Sequence, residues 1–309
     1  MDKRDEQALT AVKLYFDKGL SQAEVARELG VSRPTASKLI NYGKQRGYVT
    51  IEIHDPREER SELVDRLRSR YGLLDARIAH APRATTNDVL RGMGATAAGM
   101  LSELVSDGMS VGISWGDTMY ALAQQLEEQP VRNVRIVQLK GGHSHSGRST
   151  HDLETMRLFA AAFRATTLPL PLPIIFDDVT TKQIVEKDRH ISSVLEAGRR
   201  CDIAVFTVGD ASRESLPLNL GYLNSEELDR LSRVAVGDAC SRFYTHTGEV
   251  AAPDIDARTV GISLADLKAC PTRVVVAGGA NKVDALRVGL DHGFATHLVT
   301  DQRTAEHLV

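Results

Sequence analysis

Residues 21–50, SQAEVARELGVSRPTASKLINYGKQRGYVT, constrain the fold of this chain more than any other segment. Ser21 and Glu24 have the spacing of a capping box at the start of a helix. Gly30 suits the positive φ of a tight turn, and Ser32 can cap a second helix. Two short helices joined by a tight turn are typical of a helix-turn-helix.

The second helix of this segment carries side chains that suit DNA. Arg and Asn reach base edges, Lys reaches phosphates, and Ser and Thr reach either. Four basic residues and no acidic ones lie between Leu29 and Ile51, although the net charge of the whole chain is −3. Double-stranded DNA is therefore a predicted partner, and the predicted contact residues are Ser32, Arg33, Pro34, Thr35, Ser37, Lys38 and Asn41. The alternative is a helical hairpin that packs on another domain.

The next residues predict a wing and a connecting helix. Polar and apolar residues alternate over 48–53, which indicates a wing strand that Pro56 ends. Residues 57–71 are charged with apolar residues at helical spacing, which predicts a linker helix or a dimer contact. The predicted domains are thus a DNA-binding head over 1–55, a linker helix over 56–72 and a larger domain over 73–309.

Length and composition restrict the remaining possibilities. A chain of 309 residues, 42% of them hydrophobic, can bury a full core in its larger domain. We expect a cytoplasmic protein, because there is no apolar run of 18 residues, no secretory leader and no CxxC among three distant cysteines. The stretch HSHSGRSTH at 143–151 could bind a metal, but we interpret it as a polar loop. No metal and no cofactor is predicted.

Beyond residue 73, short β-rich runs alternate with helical segments. The predicted strands cover 76–80, 110–114, 134–139, 172–176, 201–209, 273–279 and 296–300, and the helices cover 86–106, 117–127, 152–165, 180–198 and 281–291. This alternation predicts an α/β domain with a mostly parallel, Rossmann-like doubly wound sheet. Ligands of such sheets bind beyond the carboxyl ends of the strands.

Two strand ends have features of an anion site. In VGISWGDTM, a glycine lets the backbone approach a ligand, and the next helix begins with free amides; the aspartate there can instead act as a cap. In VVVAGGANKVDAL, Lys282 lies in the first helical turn, where a cation is unfavourable because of the helix dipole. A bound phosphate would explain a lysine at this position. A solvated lysine is the alternative. The predicted residues are Gly116, Asp117, Thr118, Gly278, Gly279 and Lys282.

Two other strand ends carry a lysine and a carboxylate. Lys140 follows the apolar run VRIVQL and precedes Gly141 and Gly142. Desolvation would lower its pKa, so it could bind phosphate as a cation, form a Schiff base with a sugar aldehyde, or extend into solvent. In VAVGDACSRFYTHTG, Gly237 and Asp238 are predicted to form a turn. The Asp238 carboxylate would either accept hydrogen bonds from sugar hydroxyls or cap the turn.

In order and spacing, these motifs resemble the SorC/DeoR-type sugar-binding transcriptional regulators of bacteria. The resemblance covers nearly the whole chain through SQAEVARELGVSRPTASKLI, GISWG with Asp117-Thr118, VQLKGG, AVGDACSRFYTHTG, VVVAGGANK and LVTDQRTAEHLV. It implies an effector domain similar to sugar-phosphate isomerases and deaminases, in a homodimer or homotetramer. It also implies that the phosphate meets Gly116, Thr118 and Lys282, that Asp238 meets the sugar, and that Lys140 can bond to the aldehyde carbon of deoxyribose 5-phosphate.

The sequence therefore predicts a DNA-binding transcriptional regulator, a repressor of carbohydrate or nucleoside catabolism controlled by a phosphorylated sugar such as deoxyribose 5-phosphate. The alternative is a sugar-phosphate isomerase, deaminase or lyase-type enzyme with a DNA-binding head, in which Lys140 would be the Schiff-base catalyst. Turnover requires an acid and a base around the substrate, and Asp238 is the only candidate that the motifs supply. We predict no enzyme and no catalytic residue.

Overall fold

The computed structural model describes residues 2–49, 56–80, 85–146 and 148–309. They form two compact units, residues 1–58 and residues 59–309. Residues 50–53 of the predicted wing strand and the predicted boundary at residue 55 lie outside the described residues.

The first unit contains the predicted helix-turn-helix. Its helices are α1 (Lys3–Val12), which continues as a π-helical turn (Lys13–Asp17), α2 (Gln22–Glu28) and α3 (Arg33–Gln45). The predicted capping box is present, since Ser21 N donates to Glu24 Oε2 at 2.8 Å and Glu24 N donates to Ser21 Oγ at 3.4 Å. Ser32 Oγ accepts from Thr35 N and caps α3. The core between the helices consists of Ala8, Ala11, Val25, Ala26, Ala36, Leu39 and Ile40.

The predicted linker segment is a helix, α4 (Pro56–Tyr71). Its Leu63 and Leu67 are buried in the core of the second unit together with Leu73. The carboxyl-terminal part of α4 is therefore anchored to that unit by apolar contacts.

A seven-stranded sheet organises the second unit. Its strands are β1 (Asp75–Ala79), β2 (Ser110–Ile113), β3 (Arg135–Gln138), β4 (Thr166–Leu168), β5 (Ile203–Phe206), β9 (Thr272–Val276) and β10 (His297–Asp301). They are all parallel, in the order β1-β10-β9-β5-β2-β3-β4. A small antiparallel sheet consists of β6 (Val208–Asp210), β7 (Gly237–Ala239) and β8 (Arg242–Tyr244).

Helices cover both faces of the large sheet. They are α5 (Thr86–Leu104), α6 (Asp117–Ala123), α7 (Asp152–Ala162), α8 (Val179–Glu186), α9 (Arg189–Arg199), α10 (Ser225–Val234), α11 (Pro253–Arg258), α12 (Leu264–Ala269), α13 (Val283–Asp291) and α14 (Gln302–Leu308). Val205 belongs to the core on one face, whereas its neighbours Ala204 and Phe206 belong to the core on the other. The predicted doubly wound α/β domain is confirmed. Within the described ranges, no helix is long and apolar enough to cross a membrane.

Three predicted elements are wrong. The predicted strand over 201–209 is two strands, β5 in the parallel sheet and β6 in the antiparallel sheet. The segment 172–176 contributes only isolated bridges, and the edge strand next to β3 is β4, which lies earlier in the chain. Prolines explain the difference, because Pro171 and Pro173 lack the N–H that a ladder requires. The predicted helix over 180–198 is two helices, since Asp188 accepts hydrogen bonds from the first amides of α9 and begins a new helix.

Candidate functional site

The outer face of α3 is the candidate DNA-contacting surface. Of its predicted residues, Ser32, Arg33, Pro34, Thr35, Lys38 and Asn41 are exposed and Ser37 is half-buried. The Ser32 hydroxyl is already engaged, since it lies 2.8 Å from Thr35 Oγ1 and caps the helix. Arg46, which also contributes to the positive charge of this segment, is bound to the buried Asp5 at 3.2 Å. It therefore stabilises the unit, whereas Arg33 and Lys38 face solvent.

The second unit contains a cavity of about 670 Å³ beyond the carboxyl ends of its strands. Its wall includes six of the ten predicted effector-binding residues: Gly116, Asp117, Thr118, Lys140, Asp238 and Lys282. Five of them converge because they follow the parallel strands β2, β3 and β9, whose carboxyl ends meet at the same edge of the sheet. Asp238 instead lies in the antiparallel β7, which pairs with β6 just after β5. The wall also includes residues that the sequence did not single out, chiefly Trp115, Arg148, His151, Thr207, Asp210 and Asn281.

The four other predicted glycines lie outside the cavity wall. A Cβ at Gly141 would collide with the carbonyl of Pro173, and one at Gly142 would collide with Asp152. Gly278 and Gly279 lie against Asp301, and Gly279 N donates to Asp301 Oδ2 at 3.0 Å. At the first three of these positions the absent side chain permits close packing of loops, whereas Gly279 has a φ of 104°, a conformation that favours glycine.

Lys140 is the most deeply buried cation of the cavity, with 4% of its surface exposed. Its Nζ donates to Ser241 Oγ at 3.2 Å and lies 3.6 Å from the centroid of the Trp115 ring. Burial lowers the pKa of Lys140, although the nearby Asp238 carboxylate opposes this shift. At neutral pH its amine is therefore deprotonated more often than that of an exposed lysine.

Asp238 lies in a strand rather than in the predicted turn. The turn is Cys240–Ser241, whose φ angles of 53° and 63° form a two-residue hairpin between β7 and β8. The Asp238 side chain is buried; Oδ2 accepts from Ser241 N at 2.9 Å, and Oδ1 has no hydrogen-bond partner in the described part of the chain. Burial raises the pKa of Asp238, although Lys140 opposes this shift. A buried acceptor without a donor indicates a position where a ligand or water donates.

Lys282 ends a 3-10 turn (Ala280–Lys282) that precedes α13. Its Nζ lies 3.5 Å from Thr207 Oγ1. Burial lowers the pKa of Lys282, while the carboxylates of Asp238 and Asp210 oppose this shift. The wall thus combines two lysines with carboxylates near them, so that it can bind both an anionic group and hydroxyl donors.

Asp210 is fixed by its neighbours on the cavity wall. Burial by itself would raise the pKa of Asp210. Hydrogen bonds from Ser212 and Asn281 and the charge of Lys282 together lower this pKa by more, so it lies below the ordinary value. Asp210 therefore stays ionised. The signal for this residue in the sequence was its position at the end of the predicted strand over 201–209.

The histidine-containing loop contributes Arg148, Ser149 and His151 to the cavity wall. The His151 ring stacks on Tyr120 with centroids 4.5 Å apart, and its Nε2 lies 4.0 Å from Asp117 Oδ1. His145 instead packs on Tyr222. Across the residues that the structure describes, no group of three or more His, Cys, Asp or Glu side chains could hold a metal ion.

Comparisons with known proteins cover the whole chain. A family profile for a sugar-binding domain matches residues 55–309, and one for the MarR family matches residues 7–61. The deoxyribonucleoside regulator of Bacillus subtilis (strain 168) is 42% identical over 310 residues, which are 100% of this chain and 99% of that protein. The sorbitol operon regulator of Klebsiella pneumoniae is 28% identical over 96% of this chain and 95% of that protein. The crystal structure of the full-length regulator SorC from Klebsiella pneumoniae matches with a TM-score of 0.74 and 27% identity, over 99% of each chain.

Proposed function

Because the chain belongs to the SorC/DeoR-type family of sugar-binding transcriptional regulators, we propose that it represses genes of carbohydrate or nucleoside catabolism under the control of a phosphorylated sugar. The first candidate effector is deoxyribose 5-phosphate, since one relative is named a deoxyribonucleoside regulator. The observation that carries this proposal is one cavity wall that combines two lysines, whose pKa burial lowers, with a buried carboxylate. One oxygen of that carboxylate, Asp238 Oδ1, has no hydrogen-bond partner among the described residues.

Each end of such an effector has a chemical partner in the cavity. Lys282 and the hydroxyl of Thr118 suit the phosphate, together with the backbone at Gly116, where the absent Cβ permits close approach. Asp238 Oδ1 suits a sugar hydroxyl, because a buried carboxylate oxygen needs a donor.

Lys140 suits the aldehyde of an open-chain sugar. Its neutral amine would attack the carbonyl carbon, and loss of one water molecule would leave an imine. This covalent version has its own test, which is reduction with borohydride in the presence of deoxyribose 5-phosphate followed by peptide mass spectrometry. We expect an adduct on Lys140 in the natural protein and none in K140R. Without an adduct on Lys140, effector binding would be non-covalent.

The first unit supplies the DNA contact in this proposal, through the exposed residues of α3. Operators are commonly palindromic, so we expect a homodimer or homotetramer to bind two half-sites. The effector must bind one quaternary arrangement better than another, because only a difference in affinity can shift the equilibrium between them. Light scattering of the protein, with and without the sugar phosphate, measures the oligomeric state.

A mobility-shift experiment tests the whole proposal. The protein is bound to DNA from the region upstream of its own gene, and deoxyribose 5-phosphate, ribose 5-phosphate and a sugar bisphosphate are added in turn. Selective release by deoxyribose 5-phosphate is the expected result. If none of the three compounds releases the DNA, the effector is not a phosphorylated sugar of this kind, but DNA binding still stands. If no specific complex forms at all, regulation at this DNA is contradicted.

A further inference from the structure

Trp115 is held rigidly in the cavity wall directly after β2. Its indole N–H donates to the carbonyl of Gly141 at 2.8 Å, and only 3% of its surface is exposed. It packs in a separate apolar cluster with Ile174, Leu218, Leu220, Tyr222 and Phe243. The anchored N–H and the surrounding contacts fix both the position of the ring and the direction in which its face points.

That face contacts the amine of Lys140. The Lys140 Nζ lies 3.6 Å from the ring centroid, well inside the distance of about 6 Å at which a cation is attracted to an aromatic face. Such attraction is stronger away from water, and Lys140 is almost completely buried. Ser241 Oγ, at 3.2 Å, accepts one N–H of the same amine.

We propose that Trp115 is a positioning residue, which holds the Lys140 amine in one orientation and keeps it partly charged for its ligand. An ammonium group has three N–H donors. One donates to Ser241 Oγ, and the Trp115 ring face is turned toward the Lys140 Nζ. An N–H remains for a carbonyl or phosphoryl oxygen in the cavity. The identity of that ligand rests on the proposed function, but the role of Trp115 toward Lys140 does not.

The sign of the effect follows from the two opposing influences on Lys140. Burial disfavours the cation, whereas the ring face favours it. Removal of the ring should therefore lower the pKa of Lys140 further. If Trp115 only filled space, its removal would loosen the cavity without lowering the pKa of Lys140.

The first test uses the protein without any ligand. Trp115 is the single tryptophan of the chain, so its fluorescence against pH reports the group that titrates beneath it. We expect one transition at a pH below the ordinary lysine range. It should vanish in K140M and move to lower pH in D238N, because the Asp238 carboxylate raises the pKa of Lys140. An unchanged transition in K140M would overturn the proposal.

The second test measures the amine directly in variants of the ring. Trace acetylation with acetic anhydride at a series of pH values, followed by peptide mass spectrometry, gives the midpoint at which Lys140 becomes reactive. We expect a lower midpoint in W115L and a smaller decrease in W115F, which retains an aromatic face. The control is F159L, because Phe159 is a fully buried aromatic residue in a different core cluster.

The outcomes separate this proposal from the proposed function. Equal midpoints in W115L, F159L and the natural protein would overturn the role of Trp115, even if the sugar response were normal. If instead the midpoints shift as expected but no sugar phosphate releases DNA, Trp115 still positions Lys140 and the effector assignment fails. Should W115L not fold, W115F and the fluorescence of K140M still decide the question.

Discussion

Asp238 combines an energetic cost of burial with the sugar-binding role that we propose for it. Burial raises the pKa of its carboxylate, and one of its oxygens has no donor among the described residues, so burial destabilises its ionised form. A group whose pKa is raised on folding contributes stability below its unfolded pKa, and this contribution is lost as pH rises through the folded value. At neutral pH the ionised Asp238 therefore costs folding free energy.

The D238N variant separates the two effects. Asparagine keeps the shape and an acceptor for Ser241 N but removes the buried charge, so the melting temperature at pH 7 should stay equal or rise. Sugar affinity should fall about tenfold, as a charged hydrogen bond becomes a neutral one. Thermal melting and calorimetric titration measure the two quantities, with D284N as control because Asp284 is an exposed carboxylate of α13. A large fall in melting temperature would mean that Asp238 is mainly structural.

The pH dependence of covalent capture follows from Lys140. Burial lowers its pKa, so its neutral amine is populated at a lower pH than that of exposed lysines. The rate of borohydride trapping with deoxyribose 5-phosphate should rise with pH and level off below the ordinary lysine pKa of about 10.4. Trapping rates measured from pH 6 to pH 10 check this. A rate that still rises at the upper end of this pH range would contradict the lowered pKa.

At the scale of elements, the outer face of α3 can be changed without disturbing the core to which its inner face belongs. Leu39 and Ile40 are buried while Arg33 and Asn41 are exposed, so changes on the outer face should leave folding intact. R33A and N41A should each weaken specific DNA binding by about 1–3 kcal/mol, the range typical of removing one side chain that reads a base edge. Fluorescence anisotropy with labelled operator measures this, and K18A removes one exposed charge outside α3 as a control. If both variants bound the operator with the affinity of the natural protein, these residues would be excluded from base recognition.

Elements with purely local signals were predictable from the sequence. The capping box at Ser21 and the alternation of strands with helices depend on residues close in the chain, and both are present. The convergence of Lys140 and Lys282 was predictable as well, since both follow parallel strands whose carboxyl ends meet at one edge of the sheet.

The remaining features depend on contacts between distant parts of the chain. The positive φ of Cys240 and Ser241 has no glycine to signal it, so the hairpin that moves Asp238 from a turn into a strand could not be predicted. The Trp115 ring is oriented by the carbonyl of Gly141, 26 residues later in the chain. Local patterns therefore predicted which side chains line much of the cavity but not how those side chains are held.

For the whole molecule, the central expectation is that effector response and DNA affinity can be separated. Lys282 lies in the cavity of the unit over 59–309, whereas α3 lies in the unit over 1–58. K282M should therefore bind operator DNA normally but no longer release it with deoxyribose 5-phosphate. Burial lowers the pKa of Lys282, so loss of its charge should not destabilise the fold.

The measurement compares operator affinity of K282M with and without the sugar phosphate, and thermal melting under the same conditions. In the natural protein a ligand at 100 times its Kd should add about 2.7 kcal/mol of stability, and K282M should lose most of that increase. K187M, which removes an exposed lysine beyond α8, should behave like the natural protein. If K282M instead loses DNA affinity without any sugar, then Lys282 affects the DNA-bound state itself, and the two activities are not separable at this residue.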